Sequence, residues 1–347
     1  MTTADARIPG MSGSGDPTTS RRGWLSSVLA SRMVPIRVSQ LAAWELTIVT
    51  IPLTVHLVGV AGRVTIAIAA LLVFATTSVR VAGRHFAGWT LTWISYRLLQ
   101  HDDRKLAGDP LLALAADFRM RQHVDRAGHR YGVVGVGDGW SVVLRLPGEP
   151  GEKVLDVLRE ACRDREIPLA SAQLTIRTDG VHRVCLVAAR FRPTDAPLAA
   201  LSRGRGELGQ LRATTRAALG VVGALAEAGY AATVLEAGEL AAELRASIGE
   251  TGASSEVSDG WQAWTAAGTS QSGFSGDARA LGTHARGALF TVSSYTVTSD
   301  GMREEITVRA AGTRTAPTTR DFDVPVVALY GRQESAVRRS LPLALTR

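Results

Sequence analysis

Two long apolar stretches lie near the N terminus of the chain, at residues 40–58 and 63–81. Glu45 is the one acidic residue in either stretch. The hydrocarbon core of a bilayer is about 30 Å thick, so a spanning helix needs about 20 mostly apolar residues. Gly59 and Gly62 suit a short turn between the two stretches. The pattern predicts a hairpin of two transmembrane helices.

Arginines flank the predicted hairpin, which occupies residues 39–83 with its short links. They recur over residues 21–37 and 80–97, whereas the turn contains only Arg63. Positively charged flanks stay on the cytoplasmic side of the plasma membrane, so both termini and the main soluble domain are expected there. The alternatives are two buried helices of a soluble protein or a cleaved signal peptide. The length of the second stretch argues against a signal peptide.

Two residues of the first span are candidates for a partner interface. Glu45 lies about one turn inside the membrane boundary, where a charge is costly unless it reaches the headgroups or faces a partner helix. Pro52 removes one hydrogen bond from the helix backbone. A proton relay between Glu45 and His56 is the alternative interpretation, although the sequence supplies no third partner for it.

The segments on either side of the hairpin differ in composition. Residues 1–38 begin with a stretch rich in Gly, Ser, Thr and Pro and are expected to be disordered and basic. Residues 84–126 are predicted to form an amphipathic helical segment beside the membrane. Four aromatic residues share one helical face there, so they are expected either at the lipid headgroups or in the domain core: Phe86, Trp89, Trp93 and Tyr96.

Residues 131–330 are predicted to form a mixed α/β cytoplasmic domain. Gly137-Asp138-Gly139 separates two β-branched apolar runs, which is typical of a β-hairpin. From Ser141 onward, the hydrophobic periods indicate strand, helix, strand, strand, helix and strand, the split ferredoxin-like order. The fold class expected is therefore a membrane-anchored α+β protein that is ferredoxin-like in part. Residues 331–347 are expected to form a loosely held basic tail.

Glycine- and serine-rich stretches at residues 249–258 and 268–282 are predicted to be loops. They flank Trp261 and Trp264, which are candidate interface residues or, equally, core residues. Cys162 and Cys185 are the only cysteines, and both fall on apolar positions. They are expected to be buried thiols in a reducing compartment rather than a disulfide.

The net charge of +7 comes almost wholly from arginine. Beyond residue 110 the arginines are interspersed with acidic residues and form no basic run interleaved with aromatics, which argues against a nucleic-acid partner. Anionic lipid headgroups beside the hairpin are the simpler partner.

The sequence contains no recognisable catalytic motif. It lacks the phosphate-binding loop of nucleotide hydrolases, the nucleophile elbow of α/β-hydrolases and the zinc signature of metalloproteases. The closest histidine pair, His123 and His129, has the wrong spacing to share a metal on one helical face. We therefore expect no catalytic, cofactor-binding or metal-binding residues, and no enzymatic activity.

The order of these features resembles the EccE family, membrane components of the actinobacterial type VII (ESX) secretion machinery. The likeness begins with two closely spaced spans and continues through an aromatic, arginine-bearing helix. Its residues are Gly88-Trp89, the strand from His182-Arg183, the helix end Leu225-Ala-Glu-Ala-Gly229-Tyr230, and Trp261-Gln-Ala-Trp264 followed by Phe274.

This resemblance implies a non-enzymatic structural or assembly subunit of a plasma-membrane complex. The implied partners are the EccB, EccC and EccD components and the mycosin protease, with energy supplied by the EccC ATPase and no cofactor bound here. Two other classes stay open. One is a membrane-tethered cytoplasmic enzyme, and the other is a ligand-sensing scaffold anchored by the hairpin.

Overall fold

A computed structural model describes residues 59, 62, 64–65, 68, 80–81, 84–99, 106–115, 117–163, 167–180, 182–249, 255–266, 268–299 and 303–346. The chain divides into two compact units, Met1–Val79 and Arg80–Arg347. Only five described residues belong to the first unit, so nearly all of the predicted hairpin lies outside the described residues, including Glu45 and Pro52. No helix within the described ranges has both the length and the apolar character to cross a bilayer.

Seven α-helices lie in the described part of the second unit. In chain order they are α1 Phe86–Leu99, α2 Pro110–Leu114, α3 Glu152–Arg163, α4 Pro197–Leu201, α5 Gly206–Glu227, α6 Ala237–Ile248 and α7 Gln333–Ser340.

The same part contains fifteen strands, which we number in chain order. They are β1 Arg80–Val81, β2 Arg84–His85, β3 Leu106–Gly108, β4 Arg119–Val124, β5 Arg130–Val136, β6 Gly139–Leu146, β7 Ser171–Asp179, β8 His182–Phe191, β9 Thr233–Val234, β10 Ser255–Asp259, β11 Trp264–Ala266, β12 Thr269–Ser275, β13 Phe290–Thr298, β14 Glu304–Gly312 and β15 Val327–Ala328.

Thirteen of these strands form one sheet, in which every described pairing is antiparallel. The order across the sheet is β3-β10-β11-β12-β14-β13-β7-β8-β6-β5-β4, with β15 on β12 and β9 on β6. Strands β1 and β2 pair separately. The mixed α/β class expected from the sequence is therefore confirmed, with a larger antiparallel sheet than the hydrophobic pattern indicated.

The centre of the sheet follows the predicted succession of elements. Strand β6 leads through α3 to β7, which turns into β8, and α5 then leads to β9. The strands lie side by side in the order β9-β6-β8-β7. This is the order of a split βαββαβ unit, in which each helix crosses between non-adjacent strands.

Apolar side chains pack on both faces of this sheet because successive residues of a strand point to opposite sides. Val142 belongs to the core beneath α3 and α5, which contribute Leu158 and Leu225. Val143 belongs to the opposite core, which Leu244 of α6 helps to form. The central strands are therefore buried on both faces.

The helical segment predicted over residues 84–126 requires correction. Residues Phe86–Leu99 are helical, but Leu106–Gly108 and Arg119–Val124 are strands. Arg119–Val124 pairs along its whole length with β5, from Arg119 opposite Gly135 to Val124 opposite Arg130. Ladder hydrogen bonds to the next strand along the chain outweigh the local helical preference.

The basic tail predicted over residues 331–347 also requires correction, as does a domain limit at 131–330. Residues Gln333–Ser340 form α7, and Leu343 beyond it is fully buried. The predicted loop at residues 268–282 contains strand β12, which pairs with β14. The local sequence of these segments gives few signals of secondary structure. The elements that they pack against or pair with lie far away in sequence.

Candidate interaction site

Helix α1 presents two faces of different character. Trp89 and Tyr96 lie two turns apart and are half-buried. Leu91, Ile94 and Leu98 lie on the opposite side, where they are 68%, 41% and 68% exposed. The hydroxyl of Thr92 donates to the Gly88 carbonyl at 2.8 Å and that of Ser95 to the Leu91 carbonyl at 2.8 Å. These two hydroxyls are thus satisfied within the helix.

The half-buried face of α1 packs on Trp261. The Trp89 and Trp261 ring centroids are 5.8 Å apart and nearly perpendicular, and those of Tyr96 and Trp261 are 5.0 Å apart at 69°. Tyr330 stacks on Trp261 at 6.1 Å, with only 9° between the planes. Edge-to-face aromatic pairs add about 0.5–1.5 kcal/mol each beyond the area that they bury. We call these four residues the Trp261 cluster.

Trp261 is held in a rigid turn between β10 and β11. The Gly260 amide donates to the Ala263 carbonyl at 2.8 Å, and the Gly331 amide donates to the Trp261 carbonyl at 2.8 Å. Gly331 has φ +66°, and a Cβ added there would lie 2.4 Å from the Trp261 ring. Glycine is required at residue 331 both for its backbone conformation and for the close approach of the indole.

The predicted interface residues therefore lie in different environments. Trp89, Tyr96 and Trp261 come together in one cluster, which agrees with the packing alternative for the first two. Trp93 is 42% exposed, and the Arg97 guanidinium lies over its ring at 5.9 Å. Trp264 is 1% exposed and belongs to the core, so it is not available at the surface.

Phe86 is the first residue of α1, and Glu45 and Pro52 lie outside the described residues. Sequence reasoning missed Tyr330, whose neighbourhood contains no pattern that would link it to a tryptophan about 70 residues earlier. It also missed the exposed row of Leu91, Ile94 and Leu98. That row recurs at intervals of three and four residues, which is a readable signal.

No group of three or more His, Cys, Asp and Glu side chains in the described ranges could hold a metal ion. Both cysteines are free and buried, as expected, and burial raises the pKa of Cys162 to about 12 and that of Cys185 to about 11. Thiols with raised pKa values are poor nucleophiles at neutral pH.

Glu304 belongs to a structural ion pair with Arg159. The Arg159 guanidinium donates to it at 2.7 Å and keeps the pKa of the carboxyl below its usual range, against the opposing effect of burial. Such a pair stabilises the ionised carboxylate and leaves no proton to transfer at neutral pH.

Comparison with known proteins gives one family. The family model described as "EccE: Putative type VII ESX secretion system translocon, EccE" matches residues 180–275. These residues run from the turn before β8 to the end of β12 and include Trp261 and Trp264. No curated protein matches the chain. The resemblance to the EccE family seen in the sequence is confirmed by this match over residues 180–275.

Proposed function

We propose that this protein is a non-enzymatic structural and assembly subunit of a type VII (ESX) secretion complex in the plasma membrane. The observation that carries the proposal is the EccE match over residues 180–275, whose family description is a putative secretion translocon. The partners proposed are the EccB, EccC and EccD components and the mycosin protease. Both termini and the α/β domain are proposed to be cytoplasmic, beside a two-helix membrane hairpin.

Helix α1 supports a membrane-proximal role. Its outer face exposes Leu91, Ile94 and Leu98, and elsewhere on the helix Trp93 is exposed with Arg97 over its ring. An exposed row of leucine and isoleucine on a helix that also carries an exposed tryptophan and arginine is the composition of a helix lying in a bilayer interface. We propose that this face rests on the lipid headgroup region.

The Trp261 cluster connects the proposed lipid-contacting helix to the rest of the domain. Helix α1 is joined to the α/β domain by the rings of Trp89 and Tyr96 against Trp261. A helix fixed to the domain on one face and to lipid on the other would hold the domain at the membrane surface. A subunit that presents a domain to its partners in this way needs no active site.

Purification of the intact complex tests the proposed function. A tag on the full chain would be used to extract the protein from native membranes in mild detergent, and mass spectrometry would identify what accompanies it. We expect an ATPase and a many-span membrane protein in a stable ratio to this chain. Recovery of the chain alone, under conditions that keep other membrane complexes intact, would exclude a core-subunit role.

A further inference from the structure

A cavity of about 480 Å³ lies beside α5, remote in sequence from the Trp261 cluster. Its walls come from the end of β4, the turn that follows it, the loop between α4 and α5, and one side of α5. The residues that the argument uses are His123, Asp125, Arg126, Arg203, Arg212, Thr215 and Arg216. A volume of this size is in the range of ligand-binding clefts, about 300–1,000 Å³.

The cavity has a strong excess of positive charge, because four arginines line it against one aspartate. Arg203 donates to the Ala199 carbonyl at 2.9 Å, and Arg212 donates to the Arg203 carbonyl at 3.0 Å. Neither of them, nor Arg126 or Arg216, forms an ion pair with a carboxylate of the described residues. Several other arginines of the domain do form such pairs, as Arg121 does with Glu207 at 2.9 Å.

The single carboxylate of the cavity does not neutralise these arginines. Asp125 accepts hydrogen bonds from the Ala127 and His129 amides, at 2.8 and 2.9 Å, and from the Tyr131 hydroxyl at 2.9 Å. Partial burial alone would raise the pKa of Asp125, but the bonds from His129, Tyr131 and Ala127 outweigh it and lower the pKa to about 2. Asp125 is occupied in holding its own turn together.

One residue that lines the cavity carries a buried polar group without a hydrogen-bond partner in the described ranges. Thr215 is 4% exposed, and its buried hydroxyl has no hydrogen-bond partner among the described residues. Its neighbour Thr214, in contrast, donates to the Gln210 carbonyl at 2.8 Å, as helical threonines commonly do. A buried hydroxyl left unpaired destabilises the fold, so a ligand atom that accepts its hydrogen would be stabilised there.

His123 also lines the cavity, as a neutral donor. It is 9% exposed, and its ring stacks on Tyr131 at 6.4 Å. Burial lowers the pKa of His123, with Arg212 adding to the effect and Asp125 opposing it. At pH 7 the ring is therefore uncharged and offers one N–H and one lone pair.

We propose that this cavity binds a phosphate group, carried either by a soluble phosphate compound or by a lipid headgroup. Guanidinium groups match the geometry of phosphate oxygens and form short charge-assisted hydrogen bonds with them. A dianion would offset most of the excess positive charge and would give the Thr215 hydroxyl an acceptor. A monovalent carboxylate would leave most of that charge uncompensated.

Isothermal titration calorimetry of the full-length protein in detergent, with pyrophosphate as the ligand and the ionic strength held fixed, tests the proposal. Nanodiscs with and without phosphatidylinositol phosphate provide the lipid arm. Arg216→Gln is expected to weaken binding about tenfold. The matched control is Arg314→Gln, since Arg314 is also exposed and lies outside the cavity. Binding in the calorimeter indicates a soluble source, and binding only to the phosphoinositide nanodiscs indicates a headgroup.

Thr215→Val separates a ligand-binding role from a structural one. The substitution removes a hydroxyl that has no partner in the described residues, so we expect the thermal midpoint to be unchanged or higher, whereas pyrophosphate or headgroup binding weakens several-fold. The proposal is overturned if neither probe binds, or if Arg216→Gln and Arg314→Gln reduce binding equally. It is also overturned if Thr215→Val binds as tightly as the unmodified protein.

Discussion

Arg309 illustrates, at the scale of a single residue, how the interior of this protein accommodates charge. Its side chain is fully buried, and Nε donates to the Ser340 hydroxyl at 2.7 Å while Nη2 donates to the Ser247 carbonyl at 2.6 Å. Nη1 donates to Gln271. Burial lowers the pKa of Arg309, and Arg177 adds to that effect. A guanidinium with neutral acceptors holds three elements together: α6, β12 and α7.

Arg309→Met is expected to lower the free energy of unfolding by about 3 kcal/mol, because three buried acceptors lose their donor together. Urea unfolding followed by tryptophan fluorescence measures the change. Arg309→Lys keeps the charge but supplies fewer directed donors, so an intermediate loss is expected and serves if the methionine variant does not fold. Arg314→Met, at an exposed arginine, is the control, and equal stability of the two methionine variants would contradict this role.

At the scale of an element, α1 has one face that packs on Trp261 and an opposite face that is exposed. Its ring contacts to Trp261 are made by residues seven positions apart, and its exposed leucines are also seven positions apart, half a turn of the helix away. A stripe of this kind on a soluble surface would be an aggregation risk. The proposed contact with lipid would remove that risk and stabilise the same side chains.

Site-directed spin labelling tests whether the outer face of α1 contacts lipid. In nanodiscs, a label at Leu98→Cys is expected to be more accessible to oxygen than to a water-soluble nickel complex, because oxygen concentrates in the bilayer. Leu198→Cys is the matched control, since Leu198 is 78% exposed on α4. The two native cysteines are buried and should not be labelled. Equal accessibility profiles at residues 98 and 198 would exclude the lipid contact.

At the scale of the whole molecule, the segment after α7 is hydrogen-bonded to the central strands of the sheet. The Ser141 hydroxyl of β6 donates to the Leu343 carbonyl at 2.7 Å, and the Ser171 hydroxyl of β7 donates to the Ala344 carbonyl at 2.5 Å. Gln173 donates to the Arg339 carbonyl at 2.6 Å and accepts from the Ala344 amide at 2.7 Å. The polar side chains of two central strands are satisfied by backbone about 170–200 residues away in sequence.

Leu343→Ala is therefore expected to lower the free energy of unfolding by about 3 kcal/mol, because it removes buried methyl groups beneath the centre of the sheet. Leu289→Ala, at a leucine that is 45% exposed, is the control and should cost well under half as much. Denaturant unfolding of the full chain gives both values. If the two variants have the same stability, the segment is only loosely held, as its composition suggests.

Local sequence signals were sufficient where neighbouring residues form a pattern together. The glycine turn between β5 and β6 and the succession of elements from β6 to β9 both follow from short-range periods and turn residues. The burial of both thiols follows from their apolar positions. The strand from His182 and the end of α5 were also among the features that supported the resemblance to the EccE family.

Only the tertiary structure decided which distant segments meet. Strand β12 is rich in Gly and Ser and has no apolar alternation, yet it pairs with β14. The meeting of Trp89, Tyr96, Trp261 and Tyr330 joins three separate regions, and the four arginines of the α5 cavity come from three. Periodicity determines which face of an element is buried, whereas partner choice depends on the summed packing and ladder hydrogen bonds of the whole sheet, which no local window contains.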